Sequence, residues 1–136
     1  MKLWIDCEYN GFGGELISLA LVAESGEEFY EVLYCAEPTK WVAEHVMTIL
    51  GQMPIPRVEF QNRLSAFLAK FDTVHIIADW PEDIRHFCDS LLTGPGMRLN
   101  TPALTMEVVR IDGFSELPHN ALADARGLRE MYMRHM

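Results

Sequence analysis

Apolar and polar residues at the start of the chain alternate with the period of β-strands. Apolar runs over residues 2–7, 15–23 and 27–34 are rich in aliphatic and aromatic side chains, and turn-forming residues separate them. Both faces of the second run are mainly apolar, as is typical of a central strand. Short turns between consecutive strands predict an antiparallel meander of three strands.

After Pro38 the apolar spacing becomes helical. A helix is predicted over 41–50, where a glycine follows, and the next helix carries an apolar stripe from Phe60 to Phe71. A short apolar strand, 73–78, comes next. A helix and then a strand after a meander indicate an α/β fold with a mixed sheet.

The rest of the chain contains two further predicted helices. Pro81 fits the first position of a helix whose apolar spacing continues to Gly94, and a last helix begins near Asn120 and runs to the C-terminus. The stretch 97–110 fits either a strand or a helix, and the pattern leaves both open. The predicted fold class is α/β, with helices flanking the mixed sheet.

Composition narrows the class of protein. The 136 residues suffice for one domain, and 49% hydrophobic with 23% charged residues is typical of a globular protein that folds without disulfides. The net charge of −9 argues against a broad basic surface for long nucleic acids. Nucleic acid is not excluded, because divalent cations bound by acids would make the site itself positive.

Cysteine usage and the length of the apolar runs predict a cytoplasmic protein. Cys7, Cys35 and Cys88 form no CxxC pair, so reduced and mostly buried thiols are expected. The first apolar run is shorter than the core of a signal peptide, and the run 16–23 is too short to cross a bilayer. We therefore expect no association with a membrane.

Two acids interrupt the first strand. Asp6 and Glu8 lie two residues apart and therefore project to one face, whereas Cys7 points to the other. A third acid, Asp83, falls in the first turn of the helix that begins at Pro81. The helix dipole alone favours an acid there, so Asp83 by itself does not indicate a site.

The last helix carries a fourth unusual acid. Asp124 lies beside the apolar face of that helix, where a buried carboxylate needs a partner. His119 precedes it by five residues, and the two side chains converge only if His119 lies in the loop after Pro118, before the helix. A lone histidine in a loop is also common at an ordinary surface.

Convergence of these acids would be strongly unfavourable without a counter-charge. Carboxylates in one site repel one another and raise one another's pKa, and bound divalent cations resolve the conflict. Oxygen ligands without a cluster of Cys and His favour Mg²⁺ or Mn²⁺ over zinc.

Three short motifs, taken in chain order, resemble those of the DEDDh 3′–5′ exonucleases, a family of the RNase H-like superfamily. They are "DCE" as D-x-E, the helix start in "ADWPEDIRHF", and "HNALAD" as H-x4-D. Within the superfamily the chain is most similar to the small exoribonucleases of the oligoribonuclease, RNase T and RNase AS type. The tyrosine branch would need Tyr where Asn120 stands, so the histidine branch is favoured.

The resemblance implies an RNase H-like mixed sheet, an antiparallel three-stranded meander plus parallel strands flanked by helices, in one exonuclease domain over residues 1–136. It implies that His119 is the general base and that four acids bind two Mg²⁺ or Mn²⁺ ions per site. These metal ligands are Asp6, Glu8, Asp83 and Asp124. Asp79 is the alternative to Asp83 in the middle motif. The implied substrate is the 3′ end of single-stranded RNA, trimmed to nucleoside 5′-monophosphates, and relatives of this type are often homodimers.

Two other functions stay open. The same catalytic set would serve a single-stranded DNA 3′–5′ exonuclease of the repair or proofreading type. The motifs do not distinguish RNA from DNA, because that distinction depends on a contact to the 2′-hydroxyl made by other residues. A non-catalytic RNase H-like module that binds nucleic acid or a protein is the other alternative. Tyr9, Phe12 and Trp80 are candidates to stack on bases.

Overall fold

A computed structural model describes residues 1–111 and 115–135, which form a mixed β-sheet with helices on both faces. The strands are β1 Lys2–Tyr9, β2 Leu16–Ala23, β3 Glu28–Val32, β4 Thr73–Ala78, β5 Leu92–Gly94, β6 Met97–Arg98 and β7 Ala103–Val108. The helices are α1 Lys40–His45, α2 Arg57–Leu68, α3 Pro81–Ser90 and α4 Ala121–Arg134, with a 3₁₀ turn at Met47–Ile49.

Five strands form the main sheet in the order β3-β2-β1-β4-β7. β1, β2 and β3 pair antiparallel, which confirms the predicted meander and the interior position of the second strand. β4 pairs parallel with β1 and with β7, so the sheet is mixed, as expected. Parallel pairing brings the carboxyl ends of β1 and β4 to the same edge of the sheet.

The two faces of the sheet pack against different helices. The larger core lies on the side of α2 and α3, where Leu3, Ile5 and Cys7 of β1 meet buried side chains such as Phe60 and Phe87. On the opposite face α4 covers a smaller set that comprises Trp4, Ile77, Leu128 and Tyr132. Period-two alternation in β1 therefore sends Cys7 into the main core and leaves Asp6 and Glu8 on the side of α4.

A β-bulge and a tight turn lie at the carboxyl end of β1. Glu8 pairs with Ser18 but Tyr9 pairs with Leu16, so Ile17 is the extra residue of a β-bulge. Ile17 packs instead with Val42 of α1. The turn that connects β1 to β2 needs glycine at Gly14, because a Cβ there would lie 1.9 Å from the backbone oxygen of Asn10.

Several local expectations are corrected. The predicted helix over 41–50 is α only to His45, and the predicted helix from Pro81 is α only to Ser90. The ambiguous stretch 97–110 contains β6 and β7, which are strands. The expectation of mostly buried thiols is wrong.

All three cysteines are free, but only Cys7 is buried. Cys88 has the helical spacing of a core position, yet it is exposed, with Sγ 3.7 Å from Sδ of Met106 on β7. Within residues 1–111 and 115–135, no helix is long and apolar enough to cross a membrane.

Candidate metal and catalytic site

Two neighbouring parallel strands bring the first group of acids together. Trp4 of β1 pairs with Ile77 of β4, so Asp6 and Asp79, each two residues further along, reach the same edge of the sheet. Asp83 follows in the first turn of α3. Carboxylate oxygens of Asp6, Asp79 and Asp83 lie within 4.8 Å of one another. The structure therefore brings both candidates of the middle motif to the site.

α4 supplies the second group. Asn120 caps this helix, accepting a hydrogen bond from the Ala123 amide at 3.0 Å, which leaves Asp124 in the first turn. Because α4 packs on the face of β1 that carries the strand's acids, carboxylate oxygens of Asp6, Glu8 and Asp124 also lie within 4.8 Å of one another. Asp6 is common to both groups.

Burial raises the pKa of every acid in the two groups. Repulsion by neighbouring carboxylates raises it further for all of them except Asp124. Burial is the largest cause for Asp6, whose pKa lies well above its ordinary value, and the charges of Asp83 and Glu8 raise it further. Burial, followed by the charge of Asp124, raises the pKa of Glu8 to about 8. Burial, followed by the charge of Asp79, raises the pKa of Asp83 to about 8. Each carboxylate is thus held in a place that disfavours its charged form.

One oxygen in each of two of these carboxyl groups also lacks a hydrogen-bond partner among the described residues. Asp83 is 2% exposed, and its Oδ2 has no partner among the described residues. Oδ2 of Asp6 is likewise shielded from solvent and without a partner in the described part of the chain. Buried oxygens without a donor are costly, and a cation would satisfy both. Neither group, as found among the described residues, includes a Cys or a His, and carboxylate oxygens alone fit Mg²⁺ or Mn²⁺.

His119 lies where the sequence analysis expects it, in the loop before α4. Its backbone has φ of 69°, the left-handed conformation that non-glycine residues rarely adopt. The side chain is exposed. The imidazole and backbone amide of His119 lower the pKa of Asp124, against the larger effect of burial, so the two residues are neighbours. A histidine beside two possible cation sites is placed to exchange protons with a bound water.

Two further residues near Asp124 and His119 were not predicted from the sequence. The hydroxyl of Ser115 lowers the pKa of Asp124, against the larger effect of burial. The indole of Trp41 contacts the ring of His119 at a centroid distance of 4.9 Å. Both contacts join segments that are separate in sequence, so no local pattern signals them.

An open cleft of about 450 Å³ leads to the acids. Asp6, Glu8 and Asp83 line it together with Tyr9, Phe12, Trp41 and Trp80. Phe12 is 98% exposed, Trp80 57% and Trp41 50%, so aromatic rings stand free at the rim. A larger cavity of about 810 Å³ borders β7, but none of the predicted site residues lines it.

This arrangement combines a floor of clustered carboxylates, a neighbouring imidazole and an aromatic rim. It suits chemistry on a phosphate whose attached base or sugar packs against the rim. Comparison of the chain with protein-family models and with curated proteins found no match.

Proposed function

We propose that the protein is a metal-dependent 3′–5′ exoribonuclease that releases nucleoside 5′-monophosphates from single-stranded 3′ ends. The observation that carries the proposal is the double acid cluster at one sheet edge, where Asp6 and Asp83 each have an oxygen without a partner among the described residues. Near neutral pH such a buried arrangement needs either bound protons or bound positive charge, and a cation supplies that charge while the carboxylates stay ionised. The motif order supports the same chemistry, since all five residues of the DEDDh set are present.

The fold supports an RNase H-like assignment. An antiparallel meander of β1 to β3 continues into parallel strands β4 and β7, as the resemblance implies. The acids lie at the carboxyl end of β1 and β4 and on the flanking α3 and α4.

The roles of the residues follow from their positions. Bound cations would lower the pKa of an attacking water and stabilise the leaving oxygen. Asp6 would contact both cations because it belongs to both groups, with Glu8 and Asp124 on one side and Asp83 on the other. His119 would accept the proton of the attacking water at an imidazole nitrogen. Asp79 adds a further carboxylate to the side of Asp83.

Charge favours a substrate that is held near its end. The net charge of −9 gives weak attraction for distant phosphates, so binding would be concentrated at the last nucleotides. The exposed rings of Phe12 and Trp80 at the cleft offer stacking surfaces for single-stranded bases. Homodimer formation and a cytoplasmic location stay predictions.

A time course on a 5′-labelled oligoribonucleotide tests the proposal. We expect a descending ladder of products with Mg²⁺ or Mn²⁺ and none with chelator, and the Asp124→Asn variant should give no ladder under the same conditions. A DNA oligomer of the same sequence, digested in parallel, distinguishes the ribonuclease from the DNA exonuclease. Intact 3′ ends at saturating Mn²⁺, with protein that still binds RNA, would favour the non-catalytic module.

A further inference from the structure

We propose that Trp41, stacked on His45, is a positioning residue that fixes the imidazole of His119 at the rim of the acidic cleft. The inference rests on the proposed function, in which His119 is the general base. A general base acts only from a narrow range of positions, because proton transfer needs hydrogen-bond contact with the water. An exposed histidine in a loop does not meet that requirement unless something restricts its ring.

The contact between the rings is edge to face. The ring planes of Trp41 and His119 meet at 83°, with centroids 4.9 Å apart, which is a favourable aromatic geometry. Trp41 also stacks on His45, at 4.6 Å and 15° between planes. Nδ1 of His45 lies 2.9 Å from the backbone oxygen of Trp41, so the imidazole of His45 is itself oriented. The rings of His45 and His119 lie 6.4 Å apart at 83°, so the three rings form one aromatic cluster.

α1, which carries Trp41, is tied to the strand that carries the acids. The side chain of Asn10 accepts a hydrogen bond from the Thr39 amide at 2.8 Å and donates one to the Glu37 oxygen at 3.0 Å. Thr39 then caps α1. Asn10 comes directly after the end of β1, two residues beyond Glu8. A short chain of hydrogen bonds therefore fixes the position of Trp41 relative to the acid cluster.

The backbone of His119 is anchored to the same region. Nδ2 of Asn120 donates to the Ile49 oxygen at 2.9 Å, within the 3₁₀ turn that follows α1. Because the backbone is held there in a left-handed conformation, only the side-chain torsions of His119 can still vary. The indole of Trp41 is the surface that limits those torsions.

Trp41 also lines the cleft, so stacking on a substrate base is the rival role. The two roles affect different kinetic constants. A residue that only binds a base contributes to KM, whereas a residue that orients the general base contributes to the chemical step and thus to kcat.

NMR of the imidazole signals tests the contact without any assay of activity. Signals of His119 are assigned from the spectrum of His119→Gln. We expect Trp41→Ala to shift the His119 ring signals and to abolish nuclear Overhauser effects between positions 41 and 119. Trp80→Ala is the matched control, because Trp80 is a half-exposed indole at the same cleft without a ring contact to His119 among the described residues. Unchanged His119 signals in Trp41→Ala would overturn the proposal.

Kinetics on the oligoribonucleotide distinguish positioning from substrate stacking. We expect Trp41→Ala to lower kcat by about 10- to 100-fold with KM little changed, as misplacement of a catalytic group does. Trp41→Phe, which keeps an aromatic ring and guards against misfolding, should restore much of kcat, and His45→Ala should show a smaller loss of the same kind. A rise in KM at unchanged kcat would overturn the positioning role. An inactive wild-type protein would instead overturn the proposed function, while the NMR result would still report the contact.

Discussion

Two buried carboxylate oxygens make the site unfavourable when its acids are ionised and no cation is bound. Oδ2 of Asp83 and Oδ2 of Asp6 are buried without a partner in the described part of the chain, and the pKa of each group is raised first by burial. A protein gains nothing in stability from such groups when they are ionised and unpaired. The proposed cation would explain why these groups lie at one edge of the sheet. Two predictions at the scale of single residues follow from that proposal.

The first concerns Asp124, which shares a group with Asp6 and Glu8. Asp124→Asn should abolish metal-dependent trimming, by about 100-fold or more, because an amide is a poorer ligand than a carboxylate. In chelator the variant should melt at the same temperature as the wild type or higher, because one repelling charge is gone. Activity assays and thermal melts measure the two effects, and wild-type activity in the variant would contradict the site assignment.

The second compares the two acids of the middle motif. Asp83 is 2% exposed and its Oδ2 is unpartnered, whereas Asp79 is half-buried at the end of β4. We expect Asp83→Asn to lose far more activity than Asp79→Asn at saturating Mn²⁺. Isosteric substitutions keep the packing, so rates measured on the same oligoribonucleotide report the lost charge. A larger loss at Asp79 would reverse the assignment of the ligand.

At the scale of elements, α4 and the segment after α1 are joined through one side chain. Asn120 caps α4 through its Oδ1 and donates its Nδ2 to the Ile49 oxygen. Tyr30 donates its hydroxyl to the Leu50 oxygen at 2.7 Å. Carbonyls at the end of the predicted helix over 41–50 thus find partners in other elements. This tertiary competition explains why the segment leaves the α-helical conformation after His45.

Loss of the Asn120 side chain should therefore be costly. We expect Asn120→Ala to lower the free energy of unfolding by about 1–3 kcal/mol, because the cap is lost and the Ile49 carbonyl loses its donor. Urea denaturation of the metal-free protein measures the change. Asn62→Ala, at an exposed position inside α2, is the matched control and should change stability by less than about 0.5 kcal/mol. Equal effects of the two substitutions would contradict the structural role of Asn120.

For the whole molecule, the acid cluster predicts how stability depends on pH. Burial and repulsion raise the pKa of Glu8 and of Asp83 to about 8, from ordinary values near 4. Between these limits the folded state binds more protons than the unfolded state, so the metal-free protein loses stability as pH rises from about 4 to about 8. A cation that binds only the folded state should offset this loss, and more strongly at higher pH.

Melting temperatures in chelator and in Mn²⁺, measured across that pH range, test this dependence. Burial lowers the pKa of His86, which acts in the opposite direction below about pH 6.5, but it acts in both solutions. The difference between the two curves therefore isolates the acids, and it should widen with pH. A difference that is absent or constant with pH would contradict a cation site at the cluster.

Local patterns of residues predict most of the elements and the residue types of the site. Period-two alternation places Asp6 and Glu8 on one face of β1, and helix-start signals place Asp83 in the first turn of α3 and His119 in the loop before α4, because these features depend on neighbours within a few positions. They could be predicted for that reason.

Which of these residues meet is set by the tertiary packing. Parallel pairing of β1 and β4 brings Asp79 to the site beside Asp83 rather than in its place, and the docking of α1 brings Trp41 against His119. The exposure of Cys88 and the end of α1 at His45 depend likewise on what packs nearby. Distances between residues far apart in the chain are set by the packing of whole elements, which no local pattern of residues contains.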